Sequence, residues 1–591
     1  MYCEDEYSVY KKKDIKKLKI RLEDLQFQLQ QQKQQQKQFQ AQLQQQEQNQ
    51  AQIQNDTDTI SNVGNPTINV NIDNGSNCKL DKKRHHGKQD NCCSAYKKDE
   101  KEHYMKYDSC CSNHKNHNEA CCNYLSLERQ VNNPANDVAN FPRITQSETS
   151  LAYFKDFILY GFNDSNNANN NSFSGFAFSN DLGNTWTDGG SIPVNPGGRN
   201  SGDPVIAVDR NGVFYYGQIG QEVVGGVSQG VISVSTGVIT PNETITMNLP
   251  QVVGRGQNPA AGINQDKEWI AVGPDADNPG SEALYITWTD FTATPNPNIR
   301  FSKYTTGVNL TPIITDQVIV TGGTNFVTGS FVVVDDLGGI YVFYEETSAF
   351  QTLGQPNRTI RMVKSIDGGN TFPINIAVST PFAAAATNTV PCGRPSIGID
   401  NARQIRMNEF PHAAIAPDGT LYVVWNAGRV IGTTTFIDVF LAYSTDKGNT
   451  WHIVDITPEG IAFPFFPSVA ANKLGAHIQY NRFNSRGGTI GGVGDGTFAI
   501  FMKSFSICSG LSKERMVSTV FSPVPVTNPS PDTANCYMGD YNQIIVGPGN
   551  CLLHSWGDNR NVIIQGNIQR QNPDVFFNIT VPKKKDHVDY Y

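Results

Sequence analysis

The sequence predicts an all-β fold over residues 136–580, a β-propeller with seven blades favoured and six as the alternative. Three observations predict it. Gly 52, Pro 31, aromatic residues at 10% and charged residues at only 17% describe many short strands joined by tight turns. Helical periodicity is nearly absent from this region, where β-branched and aromatic runs are bounded by Gly, Pro, Asn and Asp. A strand–turn–strand unit also recurs along it, and radial repetition of such units buries the inner strands while leaving only short edges.

Ahead of the array, residues 1–55 read as a Gln-rich coiled-coil stalk. Ile15, Leu18, Leu22, Leu25 and Leu29 alternate at spacings of three and four, the pattern of an interhelical seam. Gln32, Gln36, Gln46 and Gln50 interrupt the seam, so the oligomer state stays open. Residues 56–135 form a polar, disordered Cys/His-rich linker with three vicinal pairs, Cys92–Cys93, Cys110–Cys111 and Cys121–Cys122. Adjacent cysteines are poorly placed to hold one zinc ion, and no C-x-x-C is present, so intermolecular crosslinking is the favoured reading. Zinc through these cysteines and His85, His86, His103, His114 and His117 is the alternative. No metal site is assigned, no cofactor is required, and neither calcium nor zinc has positive support. Residues 581–591 are a charged tail.

The net charge is −8, and the Lys-rich run at 11–21 lies outside the array, so nucleic acid is not an expected partner. No stretch approaches the length of a membrane span, and Met1-Tyr-Cys-Glu-Asp-Glu does not begin a secretory signal. Among the array's cysteines, Cys508 and Cys536 are expected to form a loop staple, Cys392 and Cys551 being the others.

The recurring unit is read at 151–164, 203–216, 269–290, 331–345, 411–426, 467–482 and 542–560. Third strands follow at Gly175, Val231, Ile299, Ile360, Val439, Phe498 and Val562. Three turns after third strands share one octapeptide, S-x-D-x-G-x-T-W/F. They are Ser179-Asn-Asp181-Leu-Gly183-Asn-Thr185-Trp186, Ser365-Ile-Asp367-Gly-Gly369-Asn-Thr371-Phe372 and Ser444-Thr-Asp446-Lys-Gly448-Asn-Thr450-Trp451. Asp accepts from turn amides, Gly takes the positive-φ position and the aromatic packs beneath the blade.

This octapeptide resembles the Asp-box (BNR) repeat of the sialidase-like propellers. The resemblance implies that the boxes are architectural and lie on the face opposite the active site. It also implies three arginines clamping a sugar carboxylate, an Asp acid/base and a Tyr nucleophile activated by Glu. The family is six-bladed and supplies its first Arg from an F/Y-R-I-P motif, whereas Phe141-Pro-Arg143-Ile has the order changed.

On the face opposite the boxes, Arg429, Arg482 and Arg560 are candidate ligand-binding arginines, with Asp164, Asp266, Asp290 and Glu345 on the acidic side. Asp203, Tyr541 and Asp558 are the catalytic candidates; Tyr344 and Glu345 are strand neighbours and point to opposite faces. The Gly-rich stretch 487–496 precedes no helix and reads as a loop, not a phosphate cradle.

Two functions follow. The stalk's composition is similar to that of coat or exosporium proteins of spore-forming bacteria, which are made without a classical signal peptide. The first expectation is therefore a cell- or spore-surface protein whose propeller binds glycans or surface proteins and which self-associates through coiled coil and disulfides. The alternative is a sialidase-type exo-glycosidase.

Overall fold

The computed structural model describes residues 128–258, 264–390, 392–400, 403–432, 434–458, 463–484, 496–526 and 533–582. The predicted stalk, the linker up to residue 127 with its six vicinal cysteines, most of the 487–496 loop and nearly all of the charged tail lie outside them. Seven antiparallel sheets form the propeller, agreeing with the unit count and departing from the six blades of the sialidase comparison.

Blade 1 comprises Gln146–Phe154, Phe157–Asp164, Ser174–Ser179 and Thr187–Ser191. The first strands of blades 2 to 7 are Arg199–Val208, Gln265–Pro274, Phe326–Val334, His412–Ile415, Pro464–Asn472 and Gln543–Val546. These first strands pack side by side in a ring, each against the next, and that of blade 7 returns to blade 1. Packing first strands innermost explains why they carry the apolar runs seen in the sequence: both of their faces meet a neighbouring blade. Between blades 4 and 5 a separate hairpin, Ser396–Asp400 with Arg403–Arg406, is inserted.

Closure joins the two ends of the chain. Blade 7 takes Leu552–Gln565 and Ile568–Thr580 from the C-terminal side, but its outermost strand is Arg129–Gln130, ahead of the expected boundary at 136. Next to that joint, Asn132 Nδ2 donates to Asp574 Oδ1 at 2.7 Å, and Asn132 Oδ1 accepts from the Val575 amide at 3.1 Å. The helix Pro134–Asn140, N-capped by Asn133, sets Asp137 into the same joint. There Asp137 accepts from Gln146 at 2.8 Å, Asn166 at 2.9 Å and Asn572 at 3.1 Å. Such a buried polar joint holds only because its donors find acceptors.

The three octapeptide turns have one geometry. In each, the Ser hydroxyl donates to the Asp at 2.7 Å and accepts from the Gly amide at 2.8–2.9 Å. The same Asp takes the Thr amide at 2.9 Å. These bonds hold the exposed Asp446 carboxyl down at about 2, the Thr450 hydroxyl contributing most. The aromatic that ends each turn reaches the preceding blade: Trp186 to Phe577 at 5.0 Å, Phe372 to Phe301 at 5.2 Å and Trp451 to Phe343 at 5.9 Å. The turns therefore rivet neighbouring blades together.

The first and second strands of blade 1 meet at Phe154–Phe157 on the octapeptide face, while Gln146 pairs with Asp164 at the opposite end. Partway down the axis, Trp269 stacks on Phe331 at 4.1 Å and meets His412 at 5.1 Å and Tyr541 at 5.8 Å. Burial, with the Lys267 charge beside it, keeps His412 neutral, so this cluster plugs the axis with apolar rings.

The cysteine expectation is corrected. Cys536 pairs with Cys392, across a sequence separation of 144, and Cys508 is an exposed free thiol. The inserted hairpin's connection, which no local pattern places, brings Cys392 to Cys536.

Gly183 has φ of +85°, and a methyl there would overlap the Phe577 ring; Gly190 has φ of +72° and open space around it. Gly183→Ala should cost roughly 2–4 kcal/mol, combining overpacking with left-handed strain, whereas Gly190→Ala should cost about 1 kcal/mol from strain alone. Equal losses for the two variants in denaturant unfolding would show that the turns do not rivet the blades.

Candidate functional site

The site begins with a backbone irregularity. In five first strands the pairing register slips at the same station, bulging at residues 148–149, 203–204, 267–268, 329–330 and 466–467. The first residue of each bulge is left-handed: Glu148, Asp203, Lys267, Gly329 and Phe466 have φ of 53°, 56°, 52°, 70° and 50°. A non-glycine residue there costs on the order of 1 kcal/mol or more, and such bulges re-aim side chains near functional sites. In blade 4 glycine is required, because the Phe410 ring leaves no room for a side chain at Gly329.

The bulges gather ionisable groups on the face opposite the octapeptide turns. Asn163, on the second strand of blade 1, organises them. Its Oδ1 accepts from the Asp203 amide at 2.6 Å, and its Nδ2 donates to Glu148 Oε2 at 3.0 Å and reaches the Tyr537 hydroxyl. Arg406, from the inserted hairpin, makes a bidentate pair with Asp540 at 2.8 and 2.7 Å. Its guanidinium lies 4.5 Å from the centre of the Tyr537 ring. The Cys392–Cys536 bridge thus ties together the two connections that carry Arg394, Arg406, Tyr537 and Asp540.

Two cavities open here. One, of about 230 Å³, is lined by Arg199, Asp203, Asp266, Arg394, Arg406, Tyr537 and Asp540 among others. The second, of about 260 Å³, shares Asp266, Arg394 and Asp540 with the first, and its wall is phenylalanine. Neither Arg199 nor Arg394 makes an ion pair or a side-chain hydrogen bond to any described residue, and the buried Nε of each is without a partner. Lys267 is buried with its Nζ unbonded, 4.6 Å from the Tyr541 ring centre and 4.9 Å from that of Trp269.

Burial dominates the electrostatics. It raises Asp266 to about 7, helped by the charges of Asp203 and Asp540. It also raises Asp203 and lifts Glu148 and Glu268 well above the usual carboxylate range. Asp540 is the exception: burial acts to raise it, but the Arg406 and Arg394 guanidiniums outweigh that and hold it below its ordinary value. Lys267 is lowered by burial, against the pull of the surrounding carboxylates. One cavity therefore contains a carboxylic acid and a carboxylate at the same pH. Among the described residues no cluster of His, Cys, Asp and Glu is arranged to hold a metal ion, and no helix is long and apolar enough to cross a membrane.

Of the residues singled out in the sequence, Asp203 and Asp266 come together in this cavity. Tyr541 packs in the aromatic plug and donates to the Pro204 carbonyl at 2.9 Å. The three arginines each sit on a carboxylate of their own blade and line neither cavity. Arg429 binds Asp438 at 2.5 Å, Arg482 binds Glu514 at 2.9 Å and Arg560 binds Asp558 at 2.6 Å. Asp290 holds Arg300 at 2.6 Å, and Asp164 caps the turn at Asn166. Glu345 faces buried Arg358 at 3.2 Å, and burial with the Glu409 charge raises it to about 8. The residues missed in the sequence are Glu148, Arg199, Lys267, Arg394, Arg406 and Tyr537. A signal existed for two of them: Lys267, like Asp203, falls two positions ahead of an apolar run, and Glu148 three.

No family model matches this chain, and no curated protein sequence does. Solved structures do resemble it. The alpha-L-arabinanase of Penicillium chrysogenum, complexed with arabinobiose, is 12% identical, with a TM-score of 0.35 over 64% of this chain and 92% of that one. The alpha-L-arabinofuranosidase of Fusarium graminearum is 10% identical, with a TM-score of 0.34 over 76% and 96%. A Hadza microbial sialidase is 14% identical, with a TM-score of 0.31 over 60% and 73%. At these identities the likeness is one of fold alone.

The raised carboxyls make the fold pH-sensitive. Asp137, raised to about 7 by burial and Asp574, joins Asp164 at about 6, Asp266 at about 7 and Glu345 at about 8. Each folded-state value exceeds the unfolded one, so the native state binds protons more tightly, and its stability falls as pH rises from about 4 towards 8. The thermal midpoint should drop across pH 5 to 8. A midpoint that rises over that interval would contradict the protonated carboxyls.

Proposed function

We propose that the axial cavity cleaves a terminal glycoside whose sugar carries an anionic group. One observation carries this reading: Asp266 and Asp540, held in opposite protonation states, share a cavity with two arginines that make no ion pair or side-chain hydrogen bond to a described residue. Arg199 and Arg394 take the anionic group through charge-assisted hydrogen bonds. Asp266, protonated up to about pH 7, gives its proton to the leaving oxygen as the glycosidic bond breaks. Asp540, kept ionised by Arg406, faces the positive charge that builds on the anomeric carbon. Water supplies the oxygen of the released sugar, and its proton restores Asp266. The octapeptide turns support the sialidase-type comparison, and Tyr537, not the candidate Tyr541, lines the cavity.

The test is hydrolysis of fluorogenic sialosides, uronides and neutral glycosides by the full chain. Asp266→Asn should lower kcat by about 100-fold or more. Arg199→Ala should act mainly on KM, and only for acidic sugars. The rate should fall as pH rises through about 7, when Asp266 loses its proton. Absence of turnover across the whole panel would end this reading.

A second reading concerns display. The Cys392–Cys536 bridge supports an oxidising setting, where the vicinal cysteines of the linker would crosslink chains on a surface. High-molecular-weight species that persist without reductant and collapse with it are expected on gels. A chain that migrates as a monomer without reductant would overturn it.

A further inference from the structure

The second cavity is chemically unlike the first. Phe291, Phe326, Phe350 and Phe410, contributed by consecutive blades 3 to 5 and their connections, form its wall. The Phe291 and Phe326 ring centres are 5.9 Å apart, and those of Phe326 and Phe350 are 5.1 Å apart. Thr328 and Gln351 are the only neutral hydrogen-bonding side chains in its lining. Against the phenylalanine wall a sugar ring would leave the hydroxyls on that side without partners, at a cost of about 1–3 kcal/mol for each one buried, the charged groups Asp266, Lys267, Arg394 and Asp540 lying elsewhere in the lining. A flat apolar ring would meet no such cost and would match the tilted phenyl faces.

Two further observations define the occupant. The cavity joins the first through Asp266, Arg394 and Asp540, so a group held in it adjoins the bond that Asp266 would protonate. Lys267 lines the same cavity, is 4% exposed, and its Nζ has no hydrogen-bond partner among the described residues. An oxygen carried on the aromatic ring would give that ammonium an acceptor.

We infer that the phenylalanine-walled cavity is the leaving-group subsite, built for a phenolic aglycone rather than a second sugar. This rests on the glycoside-cleaving reading of the adjoining cavity. It narrows the substrate to an aryl glycoside: the acidic sugar sits against Arg199 and Arg394, and the aromatic ring lies between the phenylalanines.

The experiment uses the full chain with 4-methylumbelliferone as probe and cyclohexanol as an apolar, non-aromatic control, each followed by saturation-transfer NMR. The phenol should bind at least tenfold more tightly than cyclohexanol. Phe326→Ala and Phe350→Ala, both at partly exposed positions, should weaken phenol binding about tenfold without shifting the thermal midpoint. Equal binding of the two probes, or binding indifferent to both substitutions, overturns the subsite even if glycosides are cleaved. Phenol binding lost in the variants, but with no glycoside cleaved by the wild type, overturns it through the preceding reading instead. If the variants weaken turnover of methyl and aryl glycosides equally, the wall serves the sugar and the inference fails.

Discussion

The site depends on a single backbone constraint, the bulge repeated at the start of the inner strands. An unbroken strand would place alternate side chains between blades, where only apolar groups pack well. The extra residue, turned left-handed at Glu148, Asp203 and Lys267, releases charged side chains from the blade interfaces. Each costs backbone strain, and the ring of packed blades below supplies the stability that offsets it. The propeller is thus a device for holding unfavourable groups close together: several carboxyls and one lysine, buried or half-buried, within reach of one another's charge.

That crowding explains the spread of protonation states. With like charges so close, not all the carboxyls can ionise, and burial adds to the penalty. Arg406 resolves the competition by committing both arms of its guanidinium to Asp540. The remaining acids keep their protons further into the neutral range. Protonation preference is therefore set by which carboxyl the arginine reaches, not by residue type, since Asp266 and Asp540 are chemically identical side chains.

Much of the architecture was legible in the sequence because it is written in short-range patterns. The seven inner hairpins announce themselves by alternation and turn residues, and the octapeptide turns keep one hydrogen-bond geometry wherever they occur. The site was legible only in part. Asp203 and Asp266 stand two and three positions ahead of apolar runs, so their placement follows from the strands. Arg394, Arg406 and Tyr537 lie in connections whose positions are fixed by a bridge between residues distant in sequence, and no local pattern reveals that. Arg429 and Arg560 were gathered as strand-end arginines. Their strands, Leu421–Ile431 and Leu552–Gln565, instead run on past the rim and pair each arginine within its own blade.

The joint that closes the ring also imposes an order in time. Arg129 and Gln130 precede every other strand of the propeller, yet their partners are Phe577 and Phe576. On a ribosome this strand must wait, its edge uncovered, until Phe576 and Phe577 have emerged. Asn132 and Val575, whose bond spans 443 residues, cannot meet sooner. A nascent chain can stack blades one by one, but it cannot complete the circle until blade 7 has been made.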